Sequence, residues 1–285
     1  MTDELIRPNR SLVGKIAIVT GAGALEDGIG NGRAAAILMA EDGCAVVCAD
    51  LDLKSAQRTV EMIEAEGKGR AIAIQVDVTQ LADCERLVQK TIETYGRLDI
   101  LFNCVGIGGA AGTAVEVDMK EWAKGLEINV TSMVNVAKYC IPEMRKNEAT
   151  RGYRGSIINM ASVAGMRGGT PHLLYPTSKG AIVNMTRAMA ANHGPDKIRV
   201  NCVCPGMVYS PMMYSQGMSP EARESRKNRS LLKTEGSPWD CGAAVRFLAS
   251  EDSRWLTGVI LPVDAGATAA TVTDVPKAGH VSSGT

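Results

Sequence analysis

The sequence carries no excess of charge of either sign: 31 Lys and Arg stand against 31 Asp and Glu in 285 residues. A global cationic field of the kind that holds nucleic acid or an anionic membrane surface is therefore missing, and a small-molecule partner becomes the default. Long apolar runs are missing too. Segments such as Ala45 to Ala49 and Ile100 to Val105 stop well short of the roughly 18 residues a membrane span needs. The opening MTDELIRPNRSLVGK has acids where a signal peptide has its basic region, and no apolar core follows it, so a cytoplasmic protein without a membrane partner is expected. The eight cysteines form no CxxC pair and no ligand cluster. No metal site is expected. The thiols read as small reduced hydrophobes.

What is present is a rhythm. Short β-branched runs (KIAIVT, AVVCAD, AIAIQVDV, DILFNCVG) alternate with helical stretches starting near Arg33, Lys54 and Asp83. The runs are apolar on both faces, as strands between two helix layers must be. Three more strand candidates, GSIINMAS, IRVNCVCP and GVILPVD, are separated by helices near Asp118 to Lys146 and Pro176 to His193. The expectation is an α/β fold: one Rossmann-like, doubly wound, mainly parallel sheet of about seven strands with helices on both faces. No repeat or low-complexity linker divides it. The organisation expected is an N-terminal extension over 1–11, one domain over 12–267 and a flexible tail over 268–285. A lid over 207–236 carries Met207, Met212, Met213, Tyr214 and Met218.

After the first strand, TGAGALEDGIGNGRAAA runs from a glycine-rich turn into an Ala-rich helix. Gly21, Gly30 and Gly32 let the backbone bend and approach a pyrophosphate whose charge the helix N-terminus meets. Asp50 closes the second strand, where a carboxylate accepts both ribose hydroxyls and repels a 2′-phosphate, so NAD is favoured over NADP. Glu26 and Asp27 add negative charge, and Arg33 is the nearby cation that argues the other way.

Further on, Ser162, Tyr175 and Lys179 stand in MASVAGMRGGTPHLLYPTSKGAI. Tyr175 and Lys179 lie four apart at a helix start and share one face. A phenol keeps its proton until strongly alkaline pH, so it acts as a base near neutrality only where positive charge favours the phenolate. The Lys179 ammonium and an oxidised nicotinamide both have that sign. Ser162 then donates a hydrogen bond to the substrate oxygen, with the carbinol carbon held for hydride transfer. Singly, each residue has a plainer role in packing, solvation or capping. Spaced together after a dinucleotide loop, they point to alcohol and ketone interconversion.

With these motifs in order, the sequence resembles the short-chain dehydrogenase/reductase family over nearly the whole domain. The matching pieces are TGAG with GIGNG, Asp50, Asp77 with Val78, NCVG at Asn103 to Gly106, INV at Ile128 to Val130, the Ser/Tyr/Lys trio, PGMVYS and PVDAG. The resemblance implies that Asn129 joins Ser162, Tyr175 and Lys179 in a catalytic tetrad and positions a water that relays protons from Lys179. It further implies that Asp77 and Val78 flank the adenine, Asn103 and Gly106 border the cofactor cleft, Val208 and Ser210 contact the nicotinamide end, and the chain forms a homo-oligomer, a tetramer or dimer. Two departures stand out. Six residues separate Gly21 from Gly28, lengthening the usual TGxxxGxG, and NCVG replaces the common NNAG.

The expected activity is an NAD(H)-dependent oxidoreductase acting on a secondary alcohol or ketone, with a bulky, partly hydrophobic substrate suggested by the methionines of the lid. Two alternatives stay open: an NADPH-dependent ketoreductase, and a cofactor-binding relative with a non-redox or regulatory role. His172 either touches substrate or belongs to its loop. Trp122 and Tyr139 read as core or subunit interface.

Overall fold

A computed structural model of the chain describes residues 7–215 and 217–270. In chain order the strands are β1 (Ile16–Thr20), β2 (Ala45–Asp50), β3 (Arg70–Gln75), β4 (Ile100–Asn103), β5 (Gly155–Met160), β6 (Ile198–Pro205) and β7 (Ile260–Val263). They form a seven-stranded sheet in the order β3-β2-β1-β4-β5-β6-β7, and every pairing is parallel. The sequence reading of a mainly parallel sheet thus becomes a wholly parallel one.

The major helices are α1 (Asn31–Glu41), α2 (Leu53–Glu66), α3 (Leu81–Tyr95), α4 (Met119–Leu126), α5 (Ser132–Arg145) and α6 (Leu174–His193). Two short helices, α7 (Pro211–Tyr214) and α8 (Pro220–Lys227), precede α9 (Pro238–Ala249). Strand alternation sends Ala17 and Val19 to a core shared with α1, α2 and α9. Ile18 goes to the opposite core, shared with α3, α5 and α6. Local chemistry sets the ends. The Asp52 side chain caps α2 and Gly67, in left-handed conformation at φ 67°, stops it. Asp118 caps α4 through the Lys120 and Glu121 amides.

Strand order reverses at β1, whose neighbours β2 and β4 leave a crevice at their carboxyl ends, the place where open α/β sheets bind ligands. Among the described residues, no helix is long and apolar enough to cross a membrane. The first residues of the expected tail are tied down: Thr268 donates through its amide and hydroxyl to the Asp264 carboxylate at 2.8 and 2.7 Å. Residues 271–285 lie outside the described residues, as do 1–6 of the N-terminal extension. The lid region holds α7 and α8, and a parallel bridge between Val208 and Gly236 closes its base.

Candidate active site

The glycine turn is built by close approach. Gly21 takes φ 66°, and a Cβ there would stand 3.2 Å from the Val105 nitrogen. A Cβ on Gly32 would collide with the Gly21 carbonyl oxygen, so the start of α1 packs backbone to backbone on the turn. Gly30 is the N-cap of α1 and has ordinary room, with Ala24 Cβ 3.5 Å from where its own would be. No side chain caps α1 and no acid sits in its first turn, which leaves its N-terminal dipole open to an anion. Asp50 closes β2 half-buried; its Oδ2 accepts from the Gly23 amide at 2.9 Å and its Oδ1 from the Asp52 amide at 3.1 Å. Each oxygen keeps acceptor capacity for a sugar hydroxyl.

Arg33 departs from its expected place as a cation facing the cofactor. It is fully buried, and all five of its N–H donors are spent, on Thr59 Oγ1 and on the carbonyls of Ala24, Glu26, Gly28 and Ser55. Burial, with the positive charge of Arg58 adding to it, pushes its guanidinium below the usual range. The cation on the outer side of the loop is Arg58 of α2, paired to Asp27 at 2.6 Å, which holds the Asp27 carboxyl below its usual range.

The chemical end gathers on β4, β5, α6 and the turn between α4 and α5. That turn, Glu127–Thr131, is a π-helical interruption centred on Asn129. Asn129 is fully buried: its Nδ2 donates to the Ile107 carbonyl at 2.9 Å and to Ser178 Oγ at 3.0 Å, and its Oδ1 accepts from the Ile107 amide at 2.8 Å. Ser178 Oγ in turn donates to the Tyr175 carbonyl at 2.8 Å. Lys179 is 3% exposed; its Nζ donates to the Met160 carbonyl at 3.1 Å and lies 5.7 Å from the centroid of the half-buried Tyr175 ring. A Cβ on Gly106 would sit 3.0 Å from Lys179 Nζ and 3.6 Å from Asn129 Oδ1, so only a glycine leaves this space open. Ser162, 9% exposed, follows β5 and starts the Val163–Gly165 turn, accepting from the Ala164 amide at 3.1 Å. Gly165 presses so closely on the Lys179 carbonyl that a Cβ would collide, which fixes the Ser162 turn against α6.

The remaining candidates line the same end of the sheet. Asn103 is buried and donates to Asn159 Oδ1 at 3.0 Å, while Asn159 donates to Thr186 Oγ1 at 3.1 Å. Asp77 Oδ1 accepts from the amide and hydroxyl of Thr79, and Asn135 of α5 donates to the Val78 carbonyl at 3.2 Å. Val208 is buried after β6, its carbonyl accepting from Arg226 at 3.1 Å, and Ser210 is the N-cap of α7. Cys104 is half-buried, with its thiol pushed up to about 12 by burial. His172 is a loop residue, its Nδ1 accepting from the Gly112 amide at 3.0 Å. Tyr139 packs against the core of α3 and α5, and Trp122 lies half-buried on α4. Of the lid methionines, Met212 is 62% exposed, whereas Met207, Met213 and Met218 are half-buried.

Several contributors were missed in the sequence. Ser178, Asn159 and Thr186 are polar residues inside apolar segments, a signal that could have found them. Leu174 is buried between Gly109 and Gly125, either of which would strike it if it bore a Cβ. That plug holds the first turn of α6, and with it Tyr175. Dinucleotide fit follows from the same geometry: a cradle at Gly21 and Gly32 that a Cβ would fill, an uncapped helix start, and the buried Asn31 Oδ1 and Asn103 Oδ1 atoms, which have no hydrogen-bond partner among the described residues. Among the described residues, no group of His, Cys, Asp and Glu is placed to hold a metal ion.

Known proteins are similar to this chain in sequence and fold. The family model described as enoyl-(acyl carrier protein) reductase matches residues 23–268. Meso-2,3-butanediol dehydrogenase of Serratia marcescens is 35% identical over 256 residues, covering 90% of this chain and 95% of its own. A solved short-chain dehydrogenase/reductase from Burkholderia xenovorans superposes with a TM-score of 0.83 at 37% identity, over 92% of this chain and 99% of that one. A 7α-hydroxysteroid dehydrogenase, solved with NADH and 7-oxo glycochenodeoxycholic acid, gives 0.82 at 32%, over 90% and 96%. With this fold, this order of site residues and these relatives, the chain belongs to the short-chain dehydrogenase/reductase family of oxidoreductases.

Proposed function

We propose that the protein is an NAD(H)-dependent oxidoreductase that interconverts a secondary alcohol and a ketone, with Tyr175 as the acid/base, acting in the cytoplasm as a homo-oligomeric dimer or tetramer. The observation that carries this reading is the buried Lys179 ammonium beside the Tyr175 ring, facing the space that Gly106 leaves open. Bound nicotinamide supplies the hydride acceptor or donor. In the oxidative direction the Tyr175 phenol oxygen takes the substrate hydroxyl proton, with Lys179 beside its ring. Ser162 Oγ donates to the substrate oxygen and orients it towards Tyr175. Asn129 has spent both amide hydrogens, so it serves a proton-relaying water only as an acceptor, through Oδ1 or the main chain of the π turn.

Around this centre, Gly21, Gly30 and Gly32 would hold the pyrophosphate, Asp50 the adenosine ribose, Asp77 and Val78 the adenine. Asn103, Gly106, Tyr175, Lys179, Val208 and Ser210 would hold the nicotinamide half. Support for NAD over NADP comes from Asp50 and from Arg33, which has no donor left for a 2′-phosphate. Support for a bulky, partly hydrophobic substrate comes from the half-buried lid methionines and from the steroid-binding relative. The test is a fluorescence titration with NADH and NADPH followed by a nicotinamide-absorbance screen of diols, hydroxysteroids and other secondary alcohols. Tight NADH binding with an absorbance rise is expected. NADPH preference, or stoichiometric NADH binding without turnover on any alcohol, would replace the reading by one of its two rivals.

A further inference from the structure

We propose that Arg33 is a positioning residue for the cofactor: it straps the lengthened glycine loop inward so that the seat between Gly21 and Gly32 keeps its shape. The inference rests on the dinucleotide reading above and deepens it. Six residues between Gly21 and Gly28 must be folded back over the start of α1, and their carbonyls must find donors. Three of those carbonyls or their neighbours, Ala24, Glu26 and Gly28, point at one guanidinium, at 3.2, 2.8 and 2.5 Å. The other two donors grip α2, at Ser55 O and Thr59 Oγ1, so the strap is anchored on a second helix. Thr59 Oγ1 also donates to the Ala22 carbonyl at 2.8 Å and Ser55 Oγ to the Ala24 carbonyl at 2.7 Å, completing the anchor.

Two further features fit a strap under tension. Glu26 holds φ 47°, a left-handed backbone that a residue with a Cβ rarely adopts unless its surroundings enforce it. At its far end the loop meets the lid: a Cβ on Gly28 would lie 2.7 Å from Pro211 Cγ and 2.9 Å from the Tyr214 hydroxyl. Arg33 thereby links the phosphate seat to the lid across it. A planar guanidinium with five fixed donors suits this task and an ammonium does not.

The experiment compares the wild type with Arg33→Met, Arg33→Lys and the milder Thr59→Val, which removes the acceptor of Nε and the hydroxyl donor to the Ala22 carbonyl but leaves the four other guanidinium bonds in place. NADH fluorescence titration and cleavage by a glutamate-specific protease after Glu26 are both read, with circular dichroism to establish folding. Expected is about tenfold or greater weakening of NADH by Arg33→Met, no rescue by lysine, and a smaller loss for Thr59→Val. KM for NAD should rise while kcat at saturating NAD stays within about threefold. Cleavage after Glu26 should be slow in the wild type and fast in the variants. A folded variant that binds NADH and resists cleavage like the wild type overturns the proposal. If Arg33→Met does not fold, Thr59→Val decides by the same readouts, and rapid cleavage after Glu26 in the wild type overturns it in any case. Failure of the wild type to bind NADH would instead sink the dinucleotide reading, with the cleavage result still reporting on the strap.

Discussion

Asn129 and Ser178 are joined by a buried hydrogen bond of 3.0 Å, and through it the π turn between α4 and α5 holds the backbone carbonyl of Tyr175. Ser178→Ala removes the acceptor of one Asn129 amide hydrogen and the donor to Tyr175. The cost expected is about 1–3 kcal/mol of stability from the unsatisfied amide. A fall of about tenfold in kcat with little change in KM for NAD should accompany it, because Tyr175 loses its register. Denaturant unfolding and steady-state kinetics read both, and an unchanged kcat would separate Ser178 from the chemistry.

Gly30 and Gly32 answer differently to a methyl group. Alanine at Gly32 collides with the Gly21 carbonyl, so Gly32→Ala should cost about 1–3 kcal/mol or more. At Gly30 the backbone is extended at φ −93° with room beside Ala24, and Gly30→Ala should cost less than about 1 kcal/mol. Thermal unfolding without cofactor checks the order; equal losses would mean that the turn and α1 do not pack backbone to backbone.

Asp50→Asn keeps the shape of the ribose seat but removes its charge. The ratio of NADH to NADPH affinity should fall by about tenfold, since the carboxylate no longer repels a 2′-phosphate. Paired fluorescence titrations measure that ratio, and a constant ratio would take cofactor choice away from Asp50.

Much of this was legible in the sequence because burial on both faces leaves an unbroken apolar run, as in IAIVT and AVVCAD. Helix boundaries were less so. Pro176 was read as the start of α6, yet the helix begins at Leu174, because a proline in the first turn lacks only an N–H that has no helical partner there. The segment from Asp118 to Lys146 reads as one helix, since EINVT keeps helical periodicity and hides the π turn around Asn129. Arg33 reads as a cation near the cofactor because nothing local shows that the loop carbonyls five to nine residues away turn back upon it. Such convergence is tertiary and has no sequence period.

Cys104 sits beside the site but should be inert. With its thiol pushed up to about 12 by burial, it stays protonated at neutral pH and lacks the thiolate that alkylating reagents need. Incubation with iodoacetamide near neutrality should leave Cys104 unmodified by mass spectrometry and the NADH affinity unchanged. Rapid modification would show a more open, ionised thiol than the structure gives.

The most direct test of the account is turnover by Tyr175→Phe, measured by nicotinamide absorbance on the best alcohol, with NADH affinity measured on the same sample. Loss of the phenol oxygen should abolish turnover and leave NADH affinity within about threefold of the wild type, as expected when an acid/base is removed from an intact cofactor site. Full turnover in that variant would contradict the assignment of Tyr175 as the acid/base.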